Sequence, residues 1–226
     1  MIADLLPDSV VAVESFGDDG ADRAPLHPGE EEVVARSVDK RRREFTAVRA
    51  CARRAMEKLG VPPQAVLPGE RGAPQWPAGL IGSMTHCDGY RAAALVHARD
   101  LASLGIDAEP HGPLPDGVLL SVALAAEQRR LALLAASRPA VHWDRLLFSA
   151  KESVYKAWFP LTGKWLGFED ADIEIHADPT TPSSGSFRAK LLVPGPLVDG
   201  RRLGHFDGRW TVDQGLVATA IAVPTT

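Results

Sequence analysis

Cysteine is scarce in this sequence, which contains only Cys51 and Cys87. The two lie far apart and form no CxxC pair, so a disulfide framework or a zinc site has no support, and we expect a reducing cytoplasm. Long apolar runs are also missing, because no stretch approaches the roughly 18 apolar residues of a membrane-spanning helix. The first residues include Asp4, Asp8 and Glu14 and lack a basic segment, which argues against a secretory signal.

The common phosphate-binding and hydrolase motifs are absent as well. The sequence contains no GxGxxG, no GxxxxGK followed by serine or threonine, no GxSxG and no HExxH. The Rossmann, P-loop, serine-hydrolase and zincin classes therefore have no support.

The composition is that of a globular protein, with 226 residues of which 45% are apolar and 24% are charged. This length allows one domain or two fused lobes. Although the formal net charge is −4, nine of the 25 basic residues lie between Arg36 and Lys58. Such a cluster on an acidic protein indicates a localised anionic ligand and argues against a nucleic-acid partner, although a solvated basic helix face would look the same.

Periodicity and turn residues predict a mixed α and β chain. A short strand is expected at 10–13, followed by helical sequence from Glu30 to Leu59, either one helix or two with a break near Ser37. The remaining predicted elements are strands at 80–87, 89–97 and 103–109, helices at 118–136 and 141–158, and strands around 171–177, 186–193 and 208–223.

The chain also repeats itself weakly. Residues 82–94 align without a gap to residues 208–220, with two glycines, one threonine and two alanines in common. A predicted helix with a similar short sequence precedes each segment, FTA at 45–47 and FSA at 148–150. The repeat predicts two related lobes, and a cleft between lobes is where ligands prefer to bind.

Two carboxylates share one face of the strand GIDAEP at 105–110. Asp107 and Glu109 alternate with Ile106 and Ala108, so they project to the same side. Like charges so placed repel unless a cation lies between them, and a hard divalent cation bound by oxygen ligands would resolve the conflict. The alternative is the polar face of an exposed edge strand.

The first long helix places two arginines towards its apolar side. On a helical wheel centred on Phe45, Arg41 falls inside the apolar stripe that includes Val38 and Val48, and Arg49 lies at its margin. Arginines are almost never buried without a partner, so either buried carboxylates or a polyanionic ligand is required. We favour the ligand.

The helix predicted at 141–158 has one apolar face and one charged arc. Lys151, Glu152, Tyr155 and Lys156 occupy the arc opposite Trp143. This arc is either solvated or one wall of an active site, where Glu152 would accept a proton or bind a metal while the lysines hold phosphate. Tyr155 has no assigned role.

Together, these segments resemble the Sfp-type 4'-phosphopantetheinyl transferases, and most closely the actinobacterial group. The resemblance rests on KRRREF at 40–45 continuing to Arg49, GERGAP at 69–74, GSMTHC at 82–87, GIDAE at 105–109, and Trp143 with FSAKESVYKA at 148–157. The family implies a pseudo-twofold α/β (α+β) fold. Each of its two similar lobes has a small, mainly antiparallel sheet and a long helix, and coenzyme A (CoA) binds in the cleft. We expect lobes at 1–112 and 113–226.

The resemblance also implies an activity. Such enzymes move the phosphopantetheine arm of CoA to a serine of an apo acyl or peptidyl carrier protein and release 3',5'-ADP. The carriers belong to fatty-acid, polyketide or nonribosomal peptide synthases. A cytoplasmic monomer is expected, and the apolar residues Val118, Leu119 and Leu120 are our prediction for the carrier-docking patch.

The resemblance assigns roles residue by residue. Positions matching the family's Mg²⁺ ligands, which Mn²⁺ would also suit, are Asp107, Glu109 and Glu152. Positions matching its CoA contacts are Arg41, Arg49, Arg71, Ser83, Thr85, His86, Lys151 and Lys156. Glu152 is the expected base, and Lys151 is expected to support the departing 3',5'-ADP. Arg71 departs from the family, which often has lysine there, and would bind phosphate as a fork.

Two alternatives remain open on the sequence alone. One is another Mg²⁺-dependent phosphate enzyme, such as a nuclease or nucleotide hydrolase, which the net charge of −4 disfavours. The other is a non-catalytic module that binds CoA or a nucleotide, which would need the arginines but not Glu152.

Overall fold

The computed structural model describes residues 1–17 and 25–225. In chain order the helices and strands are β1 (Val11–Phe16), α1 (Pro28–Val34), α2 (Asp39–Lys58), β2 (Leu80–Cys87), β3 (Tyr90–His97), β4 (Leu101–Pro110), α3 (Val118–Val122), α4 (Ala125–Ser137), α5 (Trp143–Thr162), β5 (Ala171–Ala177), β6 (Ser184–Leu191), β7 (Leu197–Val198), β8 (Arg201–Arg202), β9 (His205–Asp213) and β10 (Leu216–Pro224). None of these helices is long and apolar enough to cross a membrane.

The basic N-terminal segment forms two helices, which is the second of the two arrangements predicted. Helix α1 begins at Pro28, where a proline suits the first helical turn, and Glu30 accepts the backbone N–H of His27 at 2.9 Å. Helix α2 begins only at Asp39, because Val38 is an extended N-cap residue. Val38 is 75% exposed, so its predicted place in the apolar stripe is wrong.

The helix predicted at 118–136 is also divided in two. Ala123 has extended backbone angles and ends α3. The Glu127 carboxylate then caps α4 by accepting the backbone N–H of Leu124 at 2.7 Å. Helix α5 runs to Thr162, beyond the predicted end at 158, and stops at Gly163 with a positive φ of 62°.

The strands of the described residues form two larger antiparallel sheets and one two-stranded sheet, β7-β8. The first has the order β1-β3-β2, and the second has the order β4-β10-β9-β6-β5. Helix α2 packs on the first sheet, and α5 packs on β4 and β10. A cluster of buried apolar side chains lies where the two larger sheets meet, and it includes Tyr90 of β3 and Leu104 and Ile106 of β4.

Hydrogen bonding reveals the repeat that the sequence predicts. Strand β1, helix α2 and the β2–β3 hairpin have the same order and pairing as β4, α5 and the β9–β10 hairpin. Thr85 pairs with Ala92 in one hairpin, and Thr211 pairs with Ala218 in the other. Because β4 pairs with β10, it belongs to the second sheet, whereas the expected division at residue 112 places it in the N-terminal lobe.

The two repeats join edge to edge through hydroxyl groups. Ser83 Oγ of β2 accepts the backbone N–H of Ile106 at 3.0 Å, and Thr85 Oγ1 accepts that of Ala108 at 3.1 Å. These two hydroxyls therefore fix β4, and with it Asp107, against the first lobe.

Candidate active site

A cavity of about 780 Å³ lies between α2, the loop at 68–74, β2 and the C-terminal half of α5. Seven of the predicted site residues line it, namely Arg41, Arg49, Arg71, Ser83, His86, Glu152 and Lys156. The four others, Thr85, Lys151, Asp107 and Glu109, are not among its lining residues. The cavity therefore gathers residues from four of the five predicted segments and from both repeats.

Arg41 is exposed at the cavity wall rather than buried. The helical wheel is wrong here, because this position on the apolar side of α2 meets the cavity instead of the core. No carboxylate lies within ion-pair distance of Arg41 in the described part of the chain, which leaves its charge available to an anion.

Arg49 is buried, as predicted, and its carboxylate neighbour is Glu30. Arg49 Nε donates to the carbonyl of Val66 at 2.9 Å and lies 3.8 Å from Glu30 Oε1. Burial lowers the pKa of Arg49 to about 10, an effect that Glu30 partly opposes. For Arg49, Glu30 therefore provides the buried carboxylate that the sequence offers as the alternative to the favoured ligand.

The charges around Glu30 do not cancel. Glu30 is fully buried and also pairs with Arg53, whose Nη1 lies 3.0 Å from Glu30 Oε2. Two guanidinium groups thus share one carboxylate, and one positive charge remains at the cavity wall. A positive wall of low dielectric attracts anions more strongly than an exposed lysine would.

Arg71 occupies the turn at 70–72 with a left-handed backbone, φ = 54°. Its guanidinium carbon lies 5.6 Å from the ring of Trp165, which follows the end of α5. Arg71 and Trp165 therefore bring the two repeats together at one rim of the cavity, a contact that sequence reasoning missed.

His86 is positioned to act as a neutral donor or acceptor. Its Nε2 lies 3.7 Å from Glu44 Oε2 at the end of β2. Desolvation lowers the pKa of His86; Glu44 opposes this shift, whereas Lys156 and Arg41 add to it. The imidazole is thus mainly uncharged at neutral pH.

The three predicted metal ligands interact electrostatically but do not converge. Asp107 is buried, and its Oδ1 accepts from Lys156 Nζ at 2.7 Å and from Thr85 Oγ1 at 3.3 Å. Glu109 accepts from Arg145 Nη1 at 3.0 Å. Among the described residues no three carboxylate, histidine or cysteine side chains lie close enough to hold one metal ion.

Two observations nevertheless suit a cation beside Asp107. Asp107 Oδ2 is buried and has no hydrogen-bond partner among the described residues. Burial, followed by the charge of Asp107, raises the pKa of both Glu109 and Glu152. Three carboxylates that disfavour one another's charge are chemically suited to Mg²⁺, so the predicted ligand set stays a prediction.

Lys151 does not lie on a solvated arc, which is one of the two alternatives that the sequence leaves open for this face. Its side chain is buried, and Nζ is 2.9 Å from Glu127 Oε2 and 3.0 Å from the carbonyl oxygen of Ala171. The carbonyl of Phe168 accepts the third hydrogen bond. Helix α4 and the start of β5 cover this side of α5, so all three ammonium donors are used inside the second lobe.

This pairing yields a stability prediction. Lys151→Met should lower the free energy of unfolding by about 3–5 kcal/mol, because it leaves the fully buried charge of Glu127 without its cation. Urea denaturation measures the loss, with Lys164→Met at an exposed position as the control. Unchanged stability accompanied by loss of transfer would restore the predicted phosphate or catalytic role of Lys151.

A smaller cavity of about 140 Å³ adjoins the larger one. Apolar side chains dominate its wall, including Val154, Trp165, Leu166 and Phe168, and Lys151 contributes as well. Glu152 and Tyr155 line both cavities. The proposed base therefore lies where a charged cavity meets an apolar one.

Comparison with known proteins identifies the class. Residues 29–96 match the model of the 4'-phosphopantetheinyl transferase N-terminal domain, and residues 103–193 match that of the 4'-phosphopantetheinyl transferase superfamily. The gap between the two matches, residues 97–102, ends within β4.

Full-length relatives agree. 4'-Phosphopantetheinyl transferase Svp of Streptomyces mobaraensis is 58% identical, with 99% of this chain and 89% of Svp covered. Npt of Nocardia iowensis is 51% identical (98% and 99% covered), and PptT of Mycobacterium tuberculosis is 47% identical (99% and 98% covered). This chain therefore belongs to the 4'-phosphopantetheinyl transferase superfamily and is an enzyme that transfers 4'-phosphopantetheine to carrier proteins. The predicted family and activity are confirmed.

Proposed function

We propose that CoA binds in the larger cavity with its phosphates facing Arg41, Arg49, Arg71 and Lys156. The observation that carries this is the convergence of four cations and Glu152, distant in sequence, on one cavity. The cavity's size, about 780 Å³, is within the range typical of cofactor sites. Neutral His86 would hydrogen-bond a phosphate or the adenine edge.

The smaller cavity suits the pantetheine arm. The arm has apolar stretches separated by polar groups, and it leaves the pyrophosphate on the side away from the nucleotide. Because Glu152 and Tyr155 line both cavities, an arm that enters the smaller one passes directly beside Glu152. The phosphorus that bears the arm would then lie at the junction, next to the proposed base.

Enzymes of this family use Mg²⁺, and Asp107, Glu109 and Glu152 would hold it here. When bound, the ion neutralises charge on the pyrophosphate. Lys156 Nζ donates one hydrogen bond to Asp107 and a second to the carbonyl of Ile106 at 3.0 Å. One ammonium donor remains for a phosphate oxygen.

Glu152 and Lys156 have different roles in the proposed reaction. Glu152 takes the proton of the carrier's serine as the serine oxygen forms its bond to the phosphorus bearing the arm. The bond from that phosphorus to the bridging oxygen breaks, and 3',5'-ADP leaves. Lys156, rather than the buried Lys151, supports the negative charge on the leaving group.

The carrier would dock beside the smaller cavity. Helix α3 contacts the turn at 168–170, and Phe168 of that turn lines the smaller cavity. Leu120 of α3 is 74% exposed, while Val118 and Leu119 are half-buried. We propose that this short apolar helix meets apo acyl or peptidyl carrier proteins, which bring their serine to the arm.

Arg41→Ala tests the placement of CoA. The dissociation constant for CoA should rise by about 10- to 150-fold, because a charge-assisted hydrogen bond contributes roughly 1.5–3 kcal/mol. Isothermal titration calorimetry measures it, and Arg43→Ala is the matched control since Arg43 is exposed outside the cavity. Equal affinities for both variants would place the phosphates elsewhere.

A further inference from the structure

The hydroxyl of Tyr155 has no function in the site as described so far. Tyr155 Oη is shielded from solvent and has no hydrogen-bond partner among the described residues. Buried polar atoms without partners are rare in folded proteins, and each requires an explanation. Burial also raises the pKa of this phenol, so at neutral pH it keeps its proton and can donate a hydrogen bond.

The ring of Tyr155 is held in place by aromatic neighbours. Its centroid is 5.1 Å from that of Trp165 and 5.8 Å from that of Phe159. Tyr155 follows Glu152 by one helical turn, and these two residues are the ones that line both cavities. An acceptor for the hydroxyl is therefore expected where the two cavities meet.

Arg71, which the proposed function assigns to a phosphate, also lies near Tyr155. Arg71 is close enough to Tyr155 for its charge to affect the phenol, and it contacts the exposed ring of Trp165. A guanidinium that leaves Trp165 to bind a phosphate changes the surroundings of the hydroxyl.

We infer that the Tyr155 hydroxyl donates a hydrogen bond to the pantetheine arm of CoA, at the polar groups nearest the pyrophosphate. This inference rests on the proposed function. The larger cavity already supplies four cations for phosphates, whereas the smaller cavity is mainly apolar and offers few donors. The arm carries a hydroxyl and an amide carbonyl close to its phosphate, and either can accept the bond.

Tyr155→Phe separates the arm from the nucleotide. The dissociation constant for CoA should rise by about 5- to 10-fold, whereas that for 3',5'-ADP, which lacks the arm, should not change. The thermal midpoint should stay the same or rise, because the variant removes an unpaired buried hydroxyl and leaves the ring.

Tyr90→Phe is the matched control. Tyr90 Oη donates to Glu14 Oε1 at 2.5 Å, and Tyr90 lines neither cavity. This variant should lose stability and keep its CoA affinity, the reverse of the pattern for Tyr155→Phe. Unchanged CoA affinity in Tyr155→Phe, or equal weakening of CoA and 3',5'-ADP, would overturn the inference alone. A wild-type protein that binds neither ligand would overturn the proposed function as well.

Discussion

Glu152→Gln should reduce phosphopantetheine transfer by about 100- to 10,000-fold while the thermal midpoint of the protein stays the same or rises. Glutamine keeps the size of the side chain but cannot take the proton of the carrier's serine and is a poor metal ligand. Since Glu152 lies at the junction of the two cavities, the loss of the base and the loss of the metal ligand both act at the place proposed for the reacting phosphorus.

The expected gain in stability follows from the charge of Glu152. Burial, followed by Asp107, raises the pKa of Glu152 above 4.5, with Lys156 opposing. A carboxyl group with a raised pKa stabilises the fold below its ordinary pKa, and this contribution is lost as the pH rises through the folded-state value. At pH 7 the ionised Glu152 therefore disfavours folding, and glutamine removes that penalty.

Transfer can be followed by the intact mass of an apo carrier protein incubated with CoA and Mg²⁺, which increases by one phosphopantetheine arm. Glu174→Gln is the matched control, because Glu174 is exposed on β5 and lines neither cavity. A Glu152→Gln enzyme that transfers at the wild-type rate would remove Glu152 from both proposed roles.

Gly105→Ala should destabilise the protein strongly, although it adds only one methyl group. A Cβ atom at Gly105 would lie 2.1 Å from the carbonyl oxygen of Ser153 and 2.8 Å from the backbone nitrogen of Ala157. Both atoms belong to the backbone of α5, so no side-chain rotation relieves the clash. We expect a loss of about 1–3 kcal/mol or more in the free energy of unfolding, because overpacking forces the backbone to shift.

The same shift would reach the active site. Gly105 allows β4 and α5 to approach closely enough for Asp107 to meet Lys156 at 2.7 Å. Urea denaturation and the transfer assay should therefore show combined losses. Gly112→Ala is the control, since nothing lies within 4 Å of a Cβ there and its φ is not positive. Equal stability of both variants would contradict this account of the GIDAE glycine.

How far the sequence predicts the site depends on the range of the interactions. Alternation along a strand is local, and it correctly paired Asp107 with Glu109 on one face. The helical wheel is also local, but it assumes that the side away from the core meets water. Lys151 violates that assumption, because α4 and β5 cover the far side of α5.

The sequence does not predict the partners of buried charges either, because those partners are brought together only by the fold. Glu30 reads as one of three acidic residues in the first turn of a helix, and nothing nearby marks it as the buried partner of Arg49 and Arg53. Trp165 likewise contacts Arg71 only through the fold. The repeat, in contrast, was visible because both hairpins need a glycine with positive φ, Gly89 and Gly215, at the same turn position.

Ser83 and Thr85 have a consequence beyond the seam that they form. Strands β2 and β4 are each the outermost strand of their sheet. An outermost strand exposes unpaired backbone amides, which can template pairing with another chain and start aggregation. By accepting hydrogen bonds from the amides of Ile106 and Ala108, the two hydroxyls occupy the free edge of β4. The strand that carries Asp107 is thereby protected from adding a foreign strand at the place where the enzyme must stay open to its substrate.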